Sequence, residues 1–283
     1  MNVLIYNEYL HEREEGEAKR LYPEGIHHRL AEALLGIDDS LQFSFATLED
    51  HAYVITEEKL RETDVLIWWG HMAHHRVEDH VVDLVCEAVN KGMGLVCLHS
   101  GHESKVFRRL MGTRCSVHWR VDYENGNIWL LDETHPLCHG VHNPIRLEAE
   151  ETYSEPFDVP VPDELVGITW WKGGEIFRSL CVYKRGHGKI VYFQPGHETL
   201  GSYYNDDVIR VIDNAIHYTA PSVRINELTS RYRLPEEKDV RKALYQAPEE
   251  RESLVVSWDE LGNGTVRYTG AEHPHTYELN VDP

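Results

Sequence analysis

Apolar positions in the first hundred residues switch between two spacings. NVLIYN (2–7), LQFSFAT (41–47), DVLIWW (64–69) and GLVCL (94–98) are short β-rich runs, the pattern of strands. Between them apolar residues recur at helical spacing: Ile26, Leu30, Ala33, Leu34 and Ile37, then the short TEEKLRET (56–63), then Val77, Val81, Leu84, Val85, Ala88 and Val89, with Gly92 placed to end the helix. The polar stretch between Asn7 and Gly25 lacks clean periodicity and is expected to be a long functional loop. Strict alternation of strand and helix predicts a three-layer α/β fold, flavodoxin-like, with a mostly parallel sheet and helices on both faces. In such sheets, sites form outside the carboxyl ends of the strands.

After residue 98 a small-residue turn leads into a helix continuing through VFRRLM (106–111). NIWLLD, IRLEA, LVGITWW, FRSLCVY and KIVYFQ follow as β-like runs, which predict an antiparallel or mixed extension of the sheet. A last helix, about 206–219, carries Val208, Ile209, Ile212, Ala215 and Ile216 on one face, and Pro221 marks its end. The remaining chain changes character. PEEKDVRKALYQAPEERE is charged, and VVSWDELGNGTVRYTG reads as a β-hairpin around Gly262-Asn263-Gly264. The expected division is a main domain, 1–220, and a charged extension, 221–283, that packs on it or on a neighbouring subunit of a homo-oligomer.

Composition narrows the partners. The 283 residues, 41% of them hydrophobic, suffice for a sizeable core. No apolar run approaches the roughly 20 residues of a membrane helix, and Met1 opens directly onto a strand-like run without a secretory pattern. A cytoplasmic protein with no membrane partner is expected. A formal charge of −20 repels phosphate backbones, so nucleic acid is not an expected partner either. Five widely spaced cysteines without a CxxC pair indicate reduced thiols rather than disulfides or a thiolate zinc cage.

Candidate chemistry gathers where strands end. Asn7, Glu8, His11 and Glu12 follow the first strand, His71, His74 and His75 the third, and His99, Ser100, His102 and Glu103 the fourth; Gln194, Gly196, His197 and Glu198 follow a late one. His74 and His75 read as the most solvated of these. Ser100-Gly101 makes a tight turn whose N–H groups would favour developing negative charge if a helix starts there. The serine is a weak nucleophile candidate, because GxSxG requires glycines where Leu98 and His102 stand. HExxH is absent, so any metal ligands would have to be assembled by the fold. EAEETYSEPFDVP (148–160) reads either as a rim over the site, with Glu151 and Tyr153 acting on a polar substrate, or as a solvated acidic loop. Trp68, Trp69, Trp170 and Trp171 can stack on a sugar or fill the core.

LVCLHSGHES (95–104), PGHE (195–198), NEYLHE (7–12), YPEGIH (22–27), WWGHMAH (68–74), LMGTRC (110–115) and EETYSEPFDVP (150–160) together resemble the ThuA-like, trehalose-utilisation family over about residues 1–220. The resemblance implies a class I glutamine amidotransferase-like fold without amidotransfer. His99 stands where that superfamily has its cysteine, Glu103 where it has a glutamine, and His197 approximately where it has its catalytic histidine. Cys97 lies within the strand before the bend and cannot simply take the place of the lost thiol. It further implies a role in sugar catabolism, including routes through 3-keto sugars.

The expected activity is that of a metal-assisted enzyme acting on a sugar or keto-sugar, as isomerase, lyase or hydrolase. The alternative is a carbohydrate-binding or regulatory module that keeps the pocket without chemistry. His99, His197, Glu151 and Tyr153 are the catalytic candidates, and Glu8, Ser100, Gly101, His102 and Glu103 the substrate-binding ones. His11, His71, His99 and His197 are the candidate ligands of a divalent metal, with zinc the first choice.

Overall fold

A computed structural model describes residues 1–223 and 225 and, in the tail, the backbone of 254–258, 264–268 and 275–279. Two compact units divide the chain, Met1–Leu228 and Thr229–Pro283.

The first unit holds strands β1 (Asn2–Asn7), β2 (Gln42–Thr47), β3 (Val65–Trp69), β4 (Gly94–Leu98), β5 (His118–Leu130), β6 (Ile145–Ser154), β7 (Glu164–Trp171), β8 (Ile176–Arg185) and β9 (Gly188–Phe193). Its helices are α1 (Glu17–Leu21), α2 (Ile26–Leu35), α3 (His51–Val54), α4 (Glu57–Glu62), α5 (Asp79–Asn90), α6 (Lys105–Met111) and α7 (Asp206–Thr219). Nine strands form one sheet in the order β2-β1-β3-β4-β9-β8-β7-β5-β6.

β3 and β4 are buried at every position, as strands covered on both faces must be. Alternate residues feed two cores. Ile5, Ile67 and Val96 pack with α2 and α7, whereas Leu4, Leu66 and Cys97 pack with α5 and α6. Trp69 and Trp68 therefore point to opposite faces, and both are core, as is Trp171; Trp170 alone of the four is exposed. All five cysteines are buried free thiols.

The sheet is mixed rather than mostly parallel. β2, β1, β3, β4 and β9 pair in parallel, and β9-β8-β7-β5-β6 pair antiparallel. The linkers explain it: only residues 172–175 join β7 to β8, and 186–187 join β8 to β9. A parallel return needs a crossover of about a dozen residues or more, while a hairpin needs two. A second departure is the stretch after β1, expected as loop, which holds a 3₁₀ turn (His11–Arg13) and α1.

β5 is interrupted by register shifts between Arg120 and Glu124 and between Glu124 and Gly126. Bulges bend strands, and here the end of β6 comes back to the end of β9: Gln194 Nε2 donates to the Glu151 carbonyl at 3.1 Å. The second unit contains β10 (Leu254–Trp258), β11 (Gly264–Tyr268) and β12 (His275–Leu279), paired antiparallel in that order. β10 and β11 match the expected hairpin strands; Gly262 and Asn263 of its turn lie outside the described residues. No described helix is long and apolar enough to cross a membrane.

Candidate functional site

β4 ends in a sharp bend at His99, whose φ of +48° lies in the left-handed region, a strained conformation for a residue with a Cβ. Gly101 is closely packed, since a Cβ there would meet the Trp68 carbonyl at 3.1 Å and Cys97 Sγ at 3.0 Å. The α-helix does not start at the bend. Residues His99–Glu103 form a 3₁₀ turn, and α6 begins at Lys105 with Ser104 Oγ accepting from Phe107 N–H. The expected anion-attracting helix start at Ser100-Gly101 is thus displaced, because the serine cap sits four residues later.

His99 is fully buried, with both ring nitrogens engaged. Nδ1 lies 2.9 Å from the Gln194 carbonyl, which only accepts, so Nδ1 carries a proton. Nε2 lies 3.1 Å from Glu151 Oε2. This second contact is an ion-pair distance without hydrogen-bond geometry, so it acts through charge. Burial opposes charge on His99, but the adjacent Glu151 carboxylate, helped by Glu150, outweighs it and pushes the imidazole up to about 9. Burial likewise opposes the Glu151 carboxylate, and the His99 contact overcomes it and holds the group below its ordinary 4.5. The pair is an imidazolium beside a carboxylate. Tyr153 stacks on the His99 ring at 5.2 Å, and its hydroxyl meets Ser100 Oγ at 3.0 Å.

The sequence 148–154 lies in β6 rather than in a solvated loop, with Glu150, Glu151, Thr152 and Tyr153 all buried. Glu150 accepts from Gly196 N–H at 2.9 Å, His197 N–H at 3.3 Å and the Ser202 hydroxyl, fixing the segment after β9. Glu8, expected among the substrate contacts, is occupied elsewhere. Its carboxylate accepts from the N–H groups of His71, Met72 and Ala73 at 2.9–3.0 Å and is 1% exposed. A buried carboxylate needs such donors, and these are the nearest. Glu12 accepts from Asn7 Nδ2 and Ile26 N–H, which ties the end of β1 to the start of α2 around His11.

His197 Nδ1 accepts from Thr199 N–H at 3.2 Å and meets its hydroxyl at 2.9 Å. A neutral His197 therefore carries its proton on Nε2. Burial and the His99 charge lower its pKa, favouring that neutral form.

Of the four histidines expected to share a metal, only two come together. His11 Nε2 lies 3.1 Å from His71 Nδ1, and His71 Nδ1 lies 3.4 Å from Glu198 Oε2. His99 lies farther off, its ring centroid 6.4 Å from that of His71 and its Nδ1 turned to the Gln194 carbonyl, whereas His197 borders the group, its Nδ1 3.7 Å from Glu198 Oε2 but already accepting from Thr199 N–H.

These residues border a cavity of about 440 Å³ lined by His71, Glu151, Tyr153 and His197 and walled on one side by Val117, Trp119 and Val121. Its volume suits a small-molecule site. Ser100, His102 and Glu103 also reach it. His102 belongs chiefly to an aromatic cluster with Tyr153, Phe157 and Tyr192, its Nδ1–H donating to the Cys115 carbonyl at 2.6 Å, and burial drives its pKa down to about 3. Glu103 pairs with Arg108 at 3.5 Å. His75 is exposed as expected, but His74 is not solvated: its Nε2 is buried and the residue borders the cavity. Trp119, 65% exposed, is the aromatic residue that sequence reasoning missed. Its alternation with Val117 and Val121 was the available signal. Glu150 was hidden in the same way, its clamping role depending on contacts 46 and more residues away.

A family model described as ThuA, trehalose utilisation, matches residues 2–219. Among solved structures, a ThuA-like protein from Bacteroides uniformis is similar at 14% identity and TM-score 0.57, covering 77% of this chain and 89% of that one. A ThuA-like protein from Parabacteroides merdae gives 12% identity and TM-score 0.57 over 79% and 92% of the two chains. A cytoplasmic protein from Salmonella typhimurium gives 11%, 0.54, 78% and 99%. At these identities the likeness is one of fold. No curated protein matches.

Proposed function

The chain belongs to the ThuA, trehalose-utilisation, family across residues 2–219, which supports a carbohydrate-related role, and on that premise we propose that it is an enzyme that moves a proton on a neutral sugar or keto-sugar bound in the cavity. The observation that carries the reading is the His99–Glu151 contact at the cavity wall, where an imidazolium stands 3.1 Å from a carboxylate. A keto-sugar has an acidified C–H beside its carbonyl. Glu151 takes that proton; the C–H electron pair moves into a C=C bond, and the carbonyl pair onto oxygen, where His197 Nε2–H donates a hydrogen bond. Transfer of the neighbouring hydroxyl's proton to that oxygen and return of the carbon-bound proton to the former carbonyl carbon isomerise the sugar; alternatively the enolate re-forms the carbonyl while the β-carbon–oxygen bond breaks, the leaving oxygen taking the electron pair and the proton from Glu151. Metal assistance belongs to the same proposal, since a divalent ion beside the cavity would polarise the carbonyl.

The neutral substrate class follows from charge. None of the described residues lining the cavity is Lys or Arg, so a sugar phosphate or sugar acid finds no lysine or arginine there to pair with. Trp119 and Val121 offer a flat apolar wall for a pyranose face.

Deuterium exchange tests the reading. In D₂O, purified protein should incorporate label next to the carbonyl of a 3-keto-disaccharide, seen by NMR. The exchange should vanish in Glu151→Gln and His99→Ala and persist in the exposed His75→Ala. Ligand binding without exchange or turnover across a panel of sugars and keto-sugars would make the protein a carbohydrate-binding module instead.

A further inference from the structure

We propose that His11, His71 and Glu198 form a binding site for one divalent transition-metal ion, and that His99 is not its ligand. One potential ligand atom from each of the three residues lies within 4.8 Å of the others. Two of the separations, 3.1 Å between the histidine nitrogens and 3.4 Å from His71 to Glu198, are close to the spacing around a four-coordinate ion. Bonds of 2.0–2.2 Å at tetrahedral angles place ligand atoms about 3.3–3.6 Å apart.

A purely hydrogen-bonded cluster satisfies these atoms poorly. A single N–H shared between His71 Nδ1 and His11 Nε2 meets one acceptor, and Glu198 Oε2, buried in a residue 4% exposed, has no hydrogen-bond donor. Leaving a buried carboxylate oxygen unmet is costly; a cation at the convergence point satisfies all three groups at once. Two imidazoles and one carboxylate suit a borderline divalent ion better than calcium or magnesium, which favour all-oxygen shells.

The scaffold around the three residues is stiff. Glu8 holds the His71 backbone through three N–H groups, Glu12 and Asn7 bracket His11, and Glu150 clamps Gly196 and His197 immediately before Glu198. Outer partners of this kind orient metal ligands. His71 also borders the cavity, so three protein ligands would leave the remaining positions toward substrate, the arrangement of a catalytic rather than a structural ion. The ion's role rests on the proposed proton-transfer reading; its binding does not.

The test uses the full chain without a histidine tag, stripped with EDTA and titrated with Zn²⁺ or Mn²⁺ by calorimetry, with elemental analysis of the reloaded protein. We expect one ion per chain and a rise in Tm on loading. Glu198→Gln and His71→Ala should weaken binding by at least ~100-fold, beyond the effect of losing an outer partner, while circular dichroism reports whether each stripped variant is folded. His99→Ala should still take up one ion. Less than about 0.1 ion per chain, unchanged affinity in both ligand variants, or loss of the ion in folded His99→Ala would overturn the proposal. Deuterium exchange by stripped, ion-free protein would leave proton transfer standing without the ion as its agent; an ion bound by these three residues with no exchange would do the reverse.

Discussion

The two halves of the sheet contribute different things to one cavity. The parallel half, β1 to β4 and β9, supplies the histidines: His11, His71, His99 and His197 all follow its strand ends. From the antiparallel half, β5 to β8, come Glu151, Tyr153 and Trp119. In the parallel half each polar residue sits where topology alone requires a site. In the other half β6 reaches the site where its Glu151 carbonyl accepts from Gln194 at the end of β9. Imidazoles without the returning carboxylate would be a row of neutral bases; the carboxylate turns one of them into half of an ion pair.

The largest effect that can break this comparison is on rate. Glu151→Gln, a change in the antiparallel half, should lower turnover about 10²–10⁴-fold, or roughly 3–5 kcal/mol of barrier, in the exchange assay. If the histidines alone suffice, the loss will stay below tenfold.

Stability should respond most to a change in the parallel half. Glu8→Ala leaves three backbone donors of residues 71–73 without their acceptor, and unfolding in urea should show a loss of about 3 kcal/mol. An unchanged midpoint would mean that the loop carrying His71 is not held by this carboxylate.

pH separates the halves through the ion pair that joins them. His99 is raised from 6.5 to about 9, so its contribution is complete below pH 6.5 and is lost as pH rises through about 9. Glu151 is depressed, so its contribution is present above pH 4.5 and is lost as pH falls through its folded value. Stability should therefore decline by roughly 2 kcal/mol between pH 6.5 and 9. Glu151→Gln should flatten that decline, and an equal slope in the variant would assign the titration to another group.

The smallest effect is expected at the exposed wall. Trp119→Ala should raise KM for a keto-disaccharide about tenfold with little change in kcat, and alter stability by no more than about 0.5 kcal/mol. A fall in kcat with KM unchanged would place Trp119 in the chemistry rather than in binding.

Legibility followed the same division. The first four strands and the helices α2, α5 and α7 were readable because two-sided burial and amphipathic spacing are local patterns. Strand ends named all four histidines for the same reason. Glu8 could not be sorted from a substrate contact, since its partners lie 63 and more residues away. The acidic segment 148–154 reads equally as a rim over the site or as a solvated loop, because its charges find their partners, His99 and the 196–197 backbone, only across the sheet. His99 and His197 are oriented by the Gln194 carbonyl and by Thr199, contacts that no local spacing encodes.

The amino-acid sequence by itself determined the class of fold, the edge of the sheet where function gathers, and the replacement of a thiol by an imidazole at the bend after β4. These follow from periodicity and from residue chemistry at one position. Only the tertiary structure decided which carboxylate meets which imidazole, and that His11 and His71 converge on Glu198 while His99 turns to Glu151. Orientation at that scale depends on backbone carbonyls and buried carboxylates brought in from remote strands, and no local spacing encodes them.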